Sequence, residues 1–427
     1  MKMKILITIC FFLSLIAGNL YSITLDEAIK RGLEVSFPIK QQKETIRSSE
    51  YQYNSTLDPY LPQANIQAGY TRYLNSGSSS TTRGAGTTGS IGNDVYNATG
   101  SLSYRLYDGG LRYARRQASV SLVGREKERL ESVKTDILFN IKTAFYTALG
   151  KKSIVEKRRE AYETSKKIFE LTKARYEAGV AKKSDVLQAE VRLTSSKIEL
   201  FDSEKDFEKA LEDLNSILLY GPNEKLDVEG NLASPSTKED IDSLVDRALK
   251  SRPDITYQMK EIERLNMVYN EKKSEWYPKL DAGLQQSRID KSIIPNNRQD
   301  TFGLTITYPL FDGVGRYYNI KAASSDIAAA RYRLEEIKRI VRLEITKAYK
   351  DYELSIENVR LYNELLREAD TNFEQALGEY RVGKGDILSL LQAERDLTKA
   401  KENLVISLYQ ANNALAYLQK VAYLTEY

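Results

Sequence analysis

The chain carries one set of residues twice, at a constant spacing of 204 positions. One block runs from Tyr176 to Leu193, and its copy runs from Tyr380 to Leu397 with the glycine, the glutamine and the glutamate in the same places. A second block, Tyr104 to Tyr113, returns at the same spacing as Tyr308 to Tyr317. Because both blocks keep one offset, the chain is predicted to consist of two copies of one strand-and-helix unit.

Each copy is predicted to contain very long helices. The 62 residues from Arg316 to Leu377 include no glycine and no proline, and a continuous helix of that length would measure roughly 90 Å. Apolar residues recur every seven positions there, and the stripe changes seam near Val341, as in a coiled coil. Its members are Ile320, Ile327, Leu334, Val341, Ile345, Tyr352, Val359, Leu366, Phe373 and Tyr380.

The first copy has a matching but weaker stretch, which Gly124 and Gly150 interrupt. In both copies a glycine turn, at Gly179 or Gly383, precedes a returning helix of about 30 residues. Two long helical hairpins are therefore predicted. They cover residues 109–220, with a tip near 176–185, and residues 313–420, with a tip near 380–389.

Four short segments alternate between apolar and polar residues. After Pro278, for example, Leu280, Ala282 and Leu284 alternate with polar or small residues. Segments of about 10 residues with this period are typical of transmembrane barrel strands, although a half-buried soluble sheet has the same pattern. The strands are predicted near residues 63–73, 95–107, 279–287 and 301–311.

Aromatic residues mark one end of these strands. Tyr60 and Trp276 precede the first strand of each copy, and Tyr107 and Phe311 close the second. Amphipathic rings at one common level are typical of a membrane interface. We therefore predict an interfacial belt, with a core anchor as the alternative role for Trp276.

The N-terminus predicts secretion. Lys2 and Lys4 precede an apolar run from Ile5 to Ala17, which is typical of a cleaved signal over residues 1–22. The only cysteine, Cys10, lies in that signal, so the mature chain is predicted to lack thiol chemistry. The remainder divides into a first repeat (23–220), an irregular connector (221–239) and a second repeat (240–427).

Composition argues against several function classes. The chain has no histidine, the commonest general base and metal ligand, so an enzyme would depend on carboxylates such as Asp185 or Asp281. The 63 basic and 59 acidic residues nearly cancel, which is not typical of a nucleic-acid-binding protein. We expect no enzymatic activity, no cofactor, no metal and no nucleic-acid partner.

The number of strands predicts oligomerisation. About eight strands are needed before a barrel can close around its side chains, and each chain supplies four. A cyclic assembly would let several copies share one closed sheet and one helical tube. Periodicity alone leaves the number of subunits open.

The repeated motifs resemble those of the TolC family of outer membrane efflux channels. The matching residues are the Tyr-x-x-Gly turns, the segments Asp185 to Ala189 and Leu390 to Ala393, and the corners Tyr107 to Gly110 and Phe311 to Gly313. The resemblance implies a mainly α-helical, trimeric α/β-barrel channel-tunnel with a small transmembrane β-barrel sector, located in the outer membrane and extending into the periplasm. It implies outer membrane lipid, a periplasmic adaptor protein and an inner-membrane efflux pump or ABC transporter as partners, and passive conduction of drugs or secreted proteins.

The same resemblance assigns roles to the hairpin tips. The adaptor-docking residues it implies are Tyr176, Gly179, Val180, Ala181, Tyr380, Gly383, Lys384 and Gly385. Tyr380 and Asp185 match positions that hydrogen-bond between neighbouring helices to close the periplasmic end, with plain packing as the alternative for the tyrosine. Asp386 is the remaining acidic candidate in this gate.

This chain departs from the family pattern at the gate. Ser389 and Gln392 occupy positions where the pattern of the best-known member places a ring of aspartates, and Gly385 occupies that of its gate arginine. We therefore expect a weaker cation preference, because carboxylate rings concentrate cations in a constriction. A structural coiled-coil protein without an open pore is the alternative function, and single-channel conductance distinguishes the two.

Overall fold

The computed structural model describes residues 21–72, 94–221, 226–237, 239–290 and 293–424. Residues 1–20 of the predicted signal and residues 73–93, between the first two strands that the sequence predicts, lie outside this part of the chain. A short 3-10 turn, Asp58–Tyr60, precedes the second strand. The elements in chain order are β1 (Tyr21–Ile23), α1 (Leu25–Val35), α2 (Phe37–Ser55), β2 (Gln63–Arg72), β3 (Asp94–Tyr107), α3 (Leu111–Glu177), α4 (Lys183–Leu218), β4 (Leu226–Val228), α5 (Ile241–Ser251), α6 (Pro253–Ser274), β5 (Lys279–Asp290), β6 (Arg298–Thr307), α7 (Gly315–Arg381) and α8 (Ile387–Val421).

Helices α3 and α7 contain 67 residues each, and α7 buries most of the stripe that repeats every seven positions. Val341, Ile345 and Phe373 are among its buried members. Helix α3 runs without a break through Gly124 and Gly150, which the sequence pattern presented as interruptions. A Cβ at Gly150 would lie 2.5 Å from the Tyr409 ring, so this glycine allows α8 to approach closely. Among the described residues, no helix combines the length and hydropathy that crossing a membrane requires.

The chain divides into two compact units, and the first contains the hairpin tips. It comprises Met1–Lys43, Arg129–Ile255 and Glu336–Tyr427. One of its cores joins α3, α4 and α1 with a parallel pair formed by β1 and β4. Its largest buried side chains are Phe145, Ile23, Ile141, Leu214 and Leu218. Strand β4 lies in the segment predicted as an irregular connector.

The second unit, Glu44–Glu128 and Thr256–Glu335, contains an antiparallel sheet in the order β2-β3-β5-β6. Its cross-strand register places Leu102 opposite Leu284 and Leu284 opposite Phe302 on one face. The neighbouring pair, Ser101 and Gln285, lies on the other face. The sheet therefore has one apolar and one polar face, as the alternating segments predicted.

Strand β6 differs from the predicted bounds. It covers Arg298–Thr307 rather than residues 301–311, so it begins earlier and ends before Pro309. Proline has no N–H to donate to a strand ladder, and Leu310 beyond it is 84% exposed. The residues that follow belong to the corner between the strand and α7.

Four helices, α1, α2, α5 and α6, were not predicted. Their sequence signals are short. Thr24 accepts a hydrogen bond from the Glu27 N–H while the Glu27 carboxylate accepts from the Thr24 N–H, which is a capping box. Pro253 is the first residue of α6, where its missing N–H has no helical partner to lose.

Candidate functional site

The two hairpin tips have the same backbone geometry. Gly179 and Gly383 adopt φ values of 77° and 79°, in the left-handed region that favours glycine. The next residue donates back into the helix in each case, Val180 to the Arg175 carbonyl and Lys384 to that of Glu379, both at 2.9 Å. In each tip the glycine N–H also donates, to the carbonyl of the residue three positions earlier. These two hydrogen bonds together make each tip a Schellman turn. The repeated Tyr-x-x-Gly sequence therefore produces two matching reversals.

The remaining predicted docking residues surround these turns. Tyr176 is 44% exposed and Val180 is 64% exposed, whereas Ala181 is half-buried. On the second tip Lys384 is exposed, and Gly385 donates to the Glu379 carbonyl at 3.0 Å. The tips thus present aromatic, aliphatic and basic groups on a defined backbone.

Tyr380 is contacted by two residues of α3 in the first hairpin. Its ring is 3% exposed, and its hydroxyl donates to Thr172 Oγ1 at 3.1 Å. Arg175 donates to the carbonyls of Tyr380, at 2.6 Å, and of Arg381, at 3.1 Å. Its guanidinium also lies 4.9 Å from the Tyr380 ring centroid. One arginine therefore binds the C-terminal carbonyls of α7, where positive charge is favourable.

The predicted gate pair is arranged differently. Asp185 accepts from the Lys182 N–H at 3.1 Å and from the Ser184 hydroxyl at 3.1 Å. Within the described part of the chain it is not hydrogen-bonded to Tyr380, whose hydroxyl partner is Thr172. The carboxylate thus caps the start of α4, where it also interacts favourably with the helix dipole.

Helix α8 also begins with a capping carboxylate, but here the carboxylate belongs to the N-cap residue itself rather than to the residue three positions later. Asp386 is its N-cap and accepts from the Ser389 N–H at 3.0 Å and the Ser389 hydroxyl at 2.7 Å. These hydrogen bonds lower the pKa of Asp386 below its ordinary value. One turn further on, Gln392 Nε2 donates to both oxygens of Asp396, at 3.0 and 3.1 Å. Ser389 and Gln392, which replace the expected aspartates, therefore each donate a hydrogen bond to a neighbouring carboxylate.

A buried ion pair joins α4 to α8. Arg192 donates to Glu394 through Nε at 2.5 Å and through Nη2 at 3.0 Å, and the two residues are 4% and 1% exposed. Ser165 and Thr398 also donate to Glu394 Oε1, at 3.2 and 3.4 Å. Burial alone would lower the pKa of Arg192, but its hydrogen bonds with Glu394 and the acidic charges around it raise the pKa.

The ion pair continues into a wider charged network. Arg158 of α3 contacts Glu199 of α4 and Glu402 of α8. Burial raises the pKa of Glu402 in spite of Arg158, and the nearby Glu199 acts in the same direction. Three helices of two hairpins are therefore joined by paired charges.

Sequence reasoning missed Thr172, Arg175 and Arg192 as tip residues. Two of them carried a usable signal, because Arg175 lies one turn before Gly179 and Thr172 lies almost a further turn back. The spacing places both on neighbouring faces of α3, but only packing shows that α7 lies against them. Arg192 carried no signal beyond being an arginine between apolar residues.

The strand-to-helix corners repeat a second constellation. Asp108 accepts from Arg112 at 2.9 Å, and Asp312 accepts from Arg316 at 2.8 Å. Arg112 also donates to the Pro59 carbonyl, while Arg316 donates to that of Glu275, both at 3.0 Å. Each arginine thereby connects the start of a long helix to the backbone next to an aromatic residue, Tyr60 in the first copy and Trp276 in the second.

Those rings are two of the four predicted belt residues. The guanidinium of Arg112 lies 4.8 Å from the Tyr60 ring centroid, and that of Arg316 lies 4.8 Å from Trp276. Tyr60, Trp276 and Tyr107 are 36%, 45% and 48% exposed, and Phe311 is 86% exposed. The register pairs the starts of β2 and β5 with the ends of β3 and β6, where Tyr107 lies, and Tyr60, Trp276 and Phe311 flank these strand ends in sequence.

An amphipathic antiparallel sheet whose outer strands β2 and β6 have no further partner among the described residues, together with duplicated helical hairpins, is typical of a channel-tunnel protein of the outer membrane. A family model described as outer membrane efflux protein matches residues 28–218 and 244–422. The chain therefore belongs to the outer membrane efflux protein family, which confirms the family predicted from the repeated motifs.

Individual relatives support this assignment. The chain is 23% identical over 409 residues to Protein CyaE of Bordetella pertussis, covering 94% of this chain and 84% of that protein. It is 19% identical over 372 residues to the outer membrane protein TolC of Escherichia coli, covering 83% and 73%. This chain thus matches relatives over most of their length.

Solved structures show the same fold. The outer membrane protein VceC of Vibrio cholerae superimposes with a TM-score of 0.79 at 18% identity, covering 93% of this chain and 95% of that one. The open state of the Neisseria gonorrhoeae MtrE outer membrane channel gives 0.76 at 16% identity, covering 93% and 88%. The predicted fold class is therefore confirmed.

The family assignment settles the broad function and location. The chain is an outer membrane efflux channel that extends into the periplasm. Members of the family are channels rather than enzymes. They form trimers and work with adaptor and inner-membrane pump partners.

Proposed function

We propose that this chain is the exit duct of a tripartite system and that an adaptor protein docks on its two hairpin tips. The observation that carries the proposal is the pair of matching Schellman turns, at Gly179 and Gly383, with exposed side chains around both. An adaptor with repeated tips of its own would find the same backbone surface twice per chain. The duct itself is passive, and docking favours its open state only by binding that state more tightly.

The sheet supports the outer membrane end of the same proposal. Ile66, Phe302 and Leu304 of its apolar face are 92%, 71% and 61% exposed, which suits contact with lipid. Strands β2 and β6 are the outer strands of the four-stranded order, so each offers an edge to a neighbouring copy. Three copies would supply twelve strands, and Tyr60, Tyr107, Trp276 and Phe311 would form the interfacial belt of the closed barrel.

We further propose that the gate uses Tyr380 in a different pairing from the one predicted. The links that hold the second tip against the first are Tyr380 to Thr172 and Arg175 to the end of α7. Asp185 and Asp386 shape the helix starts beside this contact. Ser389 and Gln392 line the exposed face of α8, where we expect their neutral side chains to weaken cation preference.

Tip substitutions test the docking proposal. Gly383→Pro locks φ near −65°, which is incompatible with the observed turn, and Gly179→Glu adds a charged side chain at a positive φ. Both should abolish efflux of a drug substrate in cells while trimer formation and outer membrane insertion remain normal. Gly378→Ala is the matched control, because a Cβ at this exposed helical position meets nothing within 4 Å. Wild-type resistance in both tip variants would refute docking at these turns.

A further inference from the structure

Three charged residues lie together on the polar face of the sheet. The strand register places Lys279, Asp281 and Arg105 on the same face as Ser101 and Gln285, because positions two apart along a strand share a face. All three lie at the end of the sheet where β5 begins and β3 ends. The other described positions of this face are glutamine, asparagine, serine, threonine and glycine, with one valine and one isoleucine. The charge of this face is therefore confined to one end of the sheet.

Two of these charges cancel each other. Arg105 donates to Asp281 through Nε at 2.7 Å and through Nη2 at 3.3 Å, which is a bidentate pair. Both side chains are in contact with water, so the pair contributes little to stability and its main effect is to neutralise both charges. The carboxylates of the neighbouring corners, Asp108 and Asp312, are likewise paired with arginines.

Lys279 carries the remaining charge of this face. In the part of the chain that the structure describes, its ammonium group forms neither an ion pair nor a hydrogen bond. Its cross-strand neighbour is Thr307 and its diagonal neighbour on β6 is Thr305, and both are neutral. The polar face thus has one net positive charge per chain, at the end of the sheet from which α3 and α7 continue.

The neighbouring level of the polar face is open. Ser103 pairs with Gly283, and Gly283 pairs with Gly303, across three adjacent strands. A Cβ added at either glycine would meet nothing within 4 Å. The nearest level on the outer side of Lys279 and its charged neighbours therefore has no large side chain that would keep solutes away from them.

Three copies bring these charges within range of one another. Twelve strands that lie about 4.8 Å apart and tilt by about 40° close at a backbone radius of roughly 12 Å. The Debye length is about 30 Å at 0.01 M salt and about 3 Å at 1 M salt. The three ammonium groups therefore act together across the lumen at low salt and are screened from one another at high salt.

We propose that the three copies of Lys279 form a ring that favours anionic cargo at the periplasmic end of the barrel. Rings of lysine or arginine select anions in pores, and carboxylate, sulfonate or phosphate groups carry the matching charge. The pair of Arg105 and Asp281 limits the ring to one charge per copy. The proposal rests on the duct function, because it takes the polar face as the wall of the lumen, and it adds a charge preference to that function.

Thiol labelling measures the electrostatic potential beside Lys279. In a Cys10→Ser background, Thr305→Cys places a thiol on the polar face, diagonal to Lys279 at about 7–8 Å. Two methanethiosulfonates, one with a sulfonate and one with a trimethylammonium group, are applied to the detergent-extracted trimer at about 0.01 M salt. Adding Lys279→Gln should lower the ratio of anionic to cationic labelling rates by roughly threefold to tenfold. The effect should vanish at about 1 M salt.

The matched control is Arg288→Gln, which removes one positive charge from the same strand on the opposite face. It should leave the labelling ratio unchanged. Asp281→Asn frees Arg105 and should raise the ratio, whereas Arg105→Gln frees Asp281 and should lower it. A pair with only a structural role would not move the ratio in opposite directions. A ratio that Lys279→Gln leaves unchanged at low salt would overturn the proposal.

The same probe separates this proposal from the duct function. If Thr305→Cys reacts with neither reagent in the folded trimer, the polar face is not a water-filled wall and the duct fails. Rapid labelling by both reagents that Lys279→Gln does not alter refutes only the charge preference.

Bilayer recordings test the consequence for conduction. In a salt gradient at about 0.01 M, Lys279→Gln should shift the reversal potential towards that of a more cation-selective pore. Asp281→Asn should shift it in the opposite direction, and combining Arg105→Gln with Asp281→Asn should restore the wild-type value. Shifts of equal sign in the two single variants would contradict a role of these charges in selecting cargo.

Discussion

The two hairpins have the same backbone turn at their tips but bury different side chains. Their tips reverse through glycines with nearly equal φ, yet Tyr380 is buried under Thr172 while Tyr176 is exposed. The helix starts also differ, because α8 has a carboxylate at its N-cap and α4 has one three residues later. The two copies therefore share the turn and differ in which tip side chains are buried.

The largest effect is expected from the buried ion pair that joins the two hairpins, in contrast to the exposed side of α4. Arg192→Met leaves Glu394 charged and buried, which should lower stability by about 3–5 kcal/mol. Replacing both partners, with Arg192→Met and Glu394→Leu, should recover most of that loss because no unpaired charge remains. Chemical denaturation of the detergent-extracted protein at one fixed protein concentration measures both.

The matched control for this pair is Glu190→Ala on the exposed side of α4. A surface substitution of this kind should change stability by no more than about 0.5 kcal/mol. If the control costs as much as Arg192→Met, the two faces are equally buried in the assembly and the contrast fails.

A smaller difference is expected for the tip tyrosines. Tyr380→Phe removes the hydrogen bond to Thr172 and should cost about 1 kcal/mol of local stability. Tyr176→Phe should cost less, because its ring and hydroxyl are partly in contact with water. Hydrogen exchange of the tip amides, read separately for the two hairpins, measures each effect. Equal loss of protection in the two hairpins would contradict this difference, because it would show that both tyrosine hydroxyls form stabilising hydrogen bonds.

The smallest difference is expected in acid. Because the folded-state pKa of Asp386 is lowered, its contribution is complete above the unfolded value of about 3.9 and is lost as pH falls through the folded value. Asp386→Asn should therefore flatten the acid dependence of protection at the start of α8. The ratio of wild-type to variant exchange at each pH cancels the intrinsic rate. A ratio that does not change below pH 4 would contradict this role.

Much of the fold followed from local patterns. The seven-residue stripe of α7, the positive-φ glycines and the alternation in the strands each depend on chain geometry that repeats over a few residues, so they could be predicted. The path of α3 through Gly150 could not, because it depends on Tyr409 from a distant part of the chain. The predicted end of β6 was wrong although Pro309 is a local signal that strand pairing stops there.

The features of the site likewise divide into those set by local sequence and those set by contacts between distant residues. The sequence by itself determined the duplication, the tip turns, the corner motifs and the family, because each is a short motif repeated at one offset. Only the tertiary structure decided that Tyr380 pairs with Thr172, that Arg175 binds the end of α7 and that Arg192 is buried against Glu394. Those contacts join residues about 200 positions apart, and the pairing of such distant side chains is set by how whole helices pack rather than by any local preference.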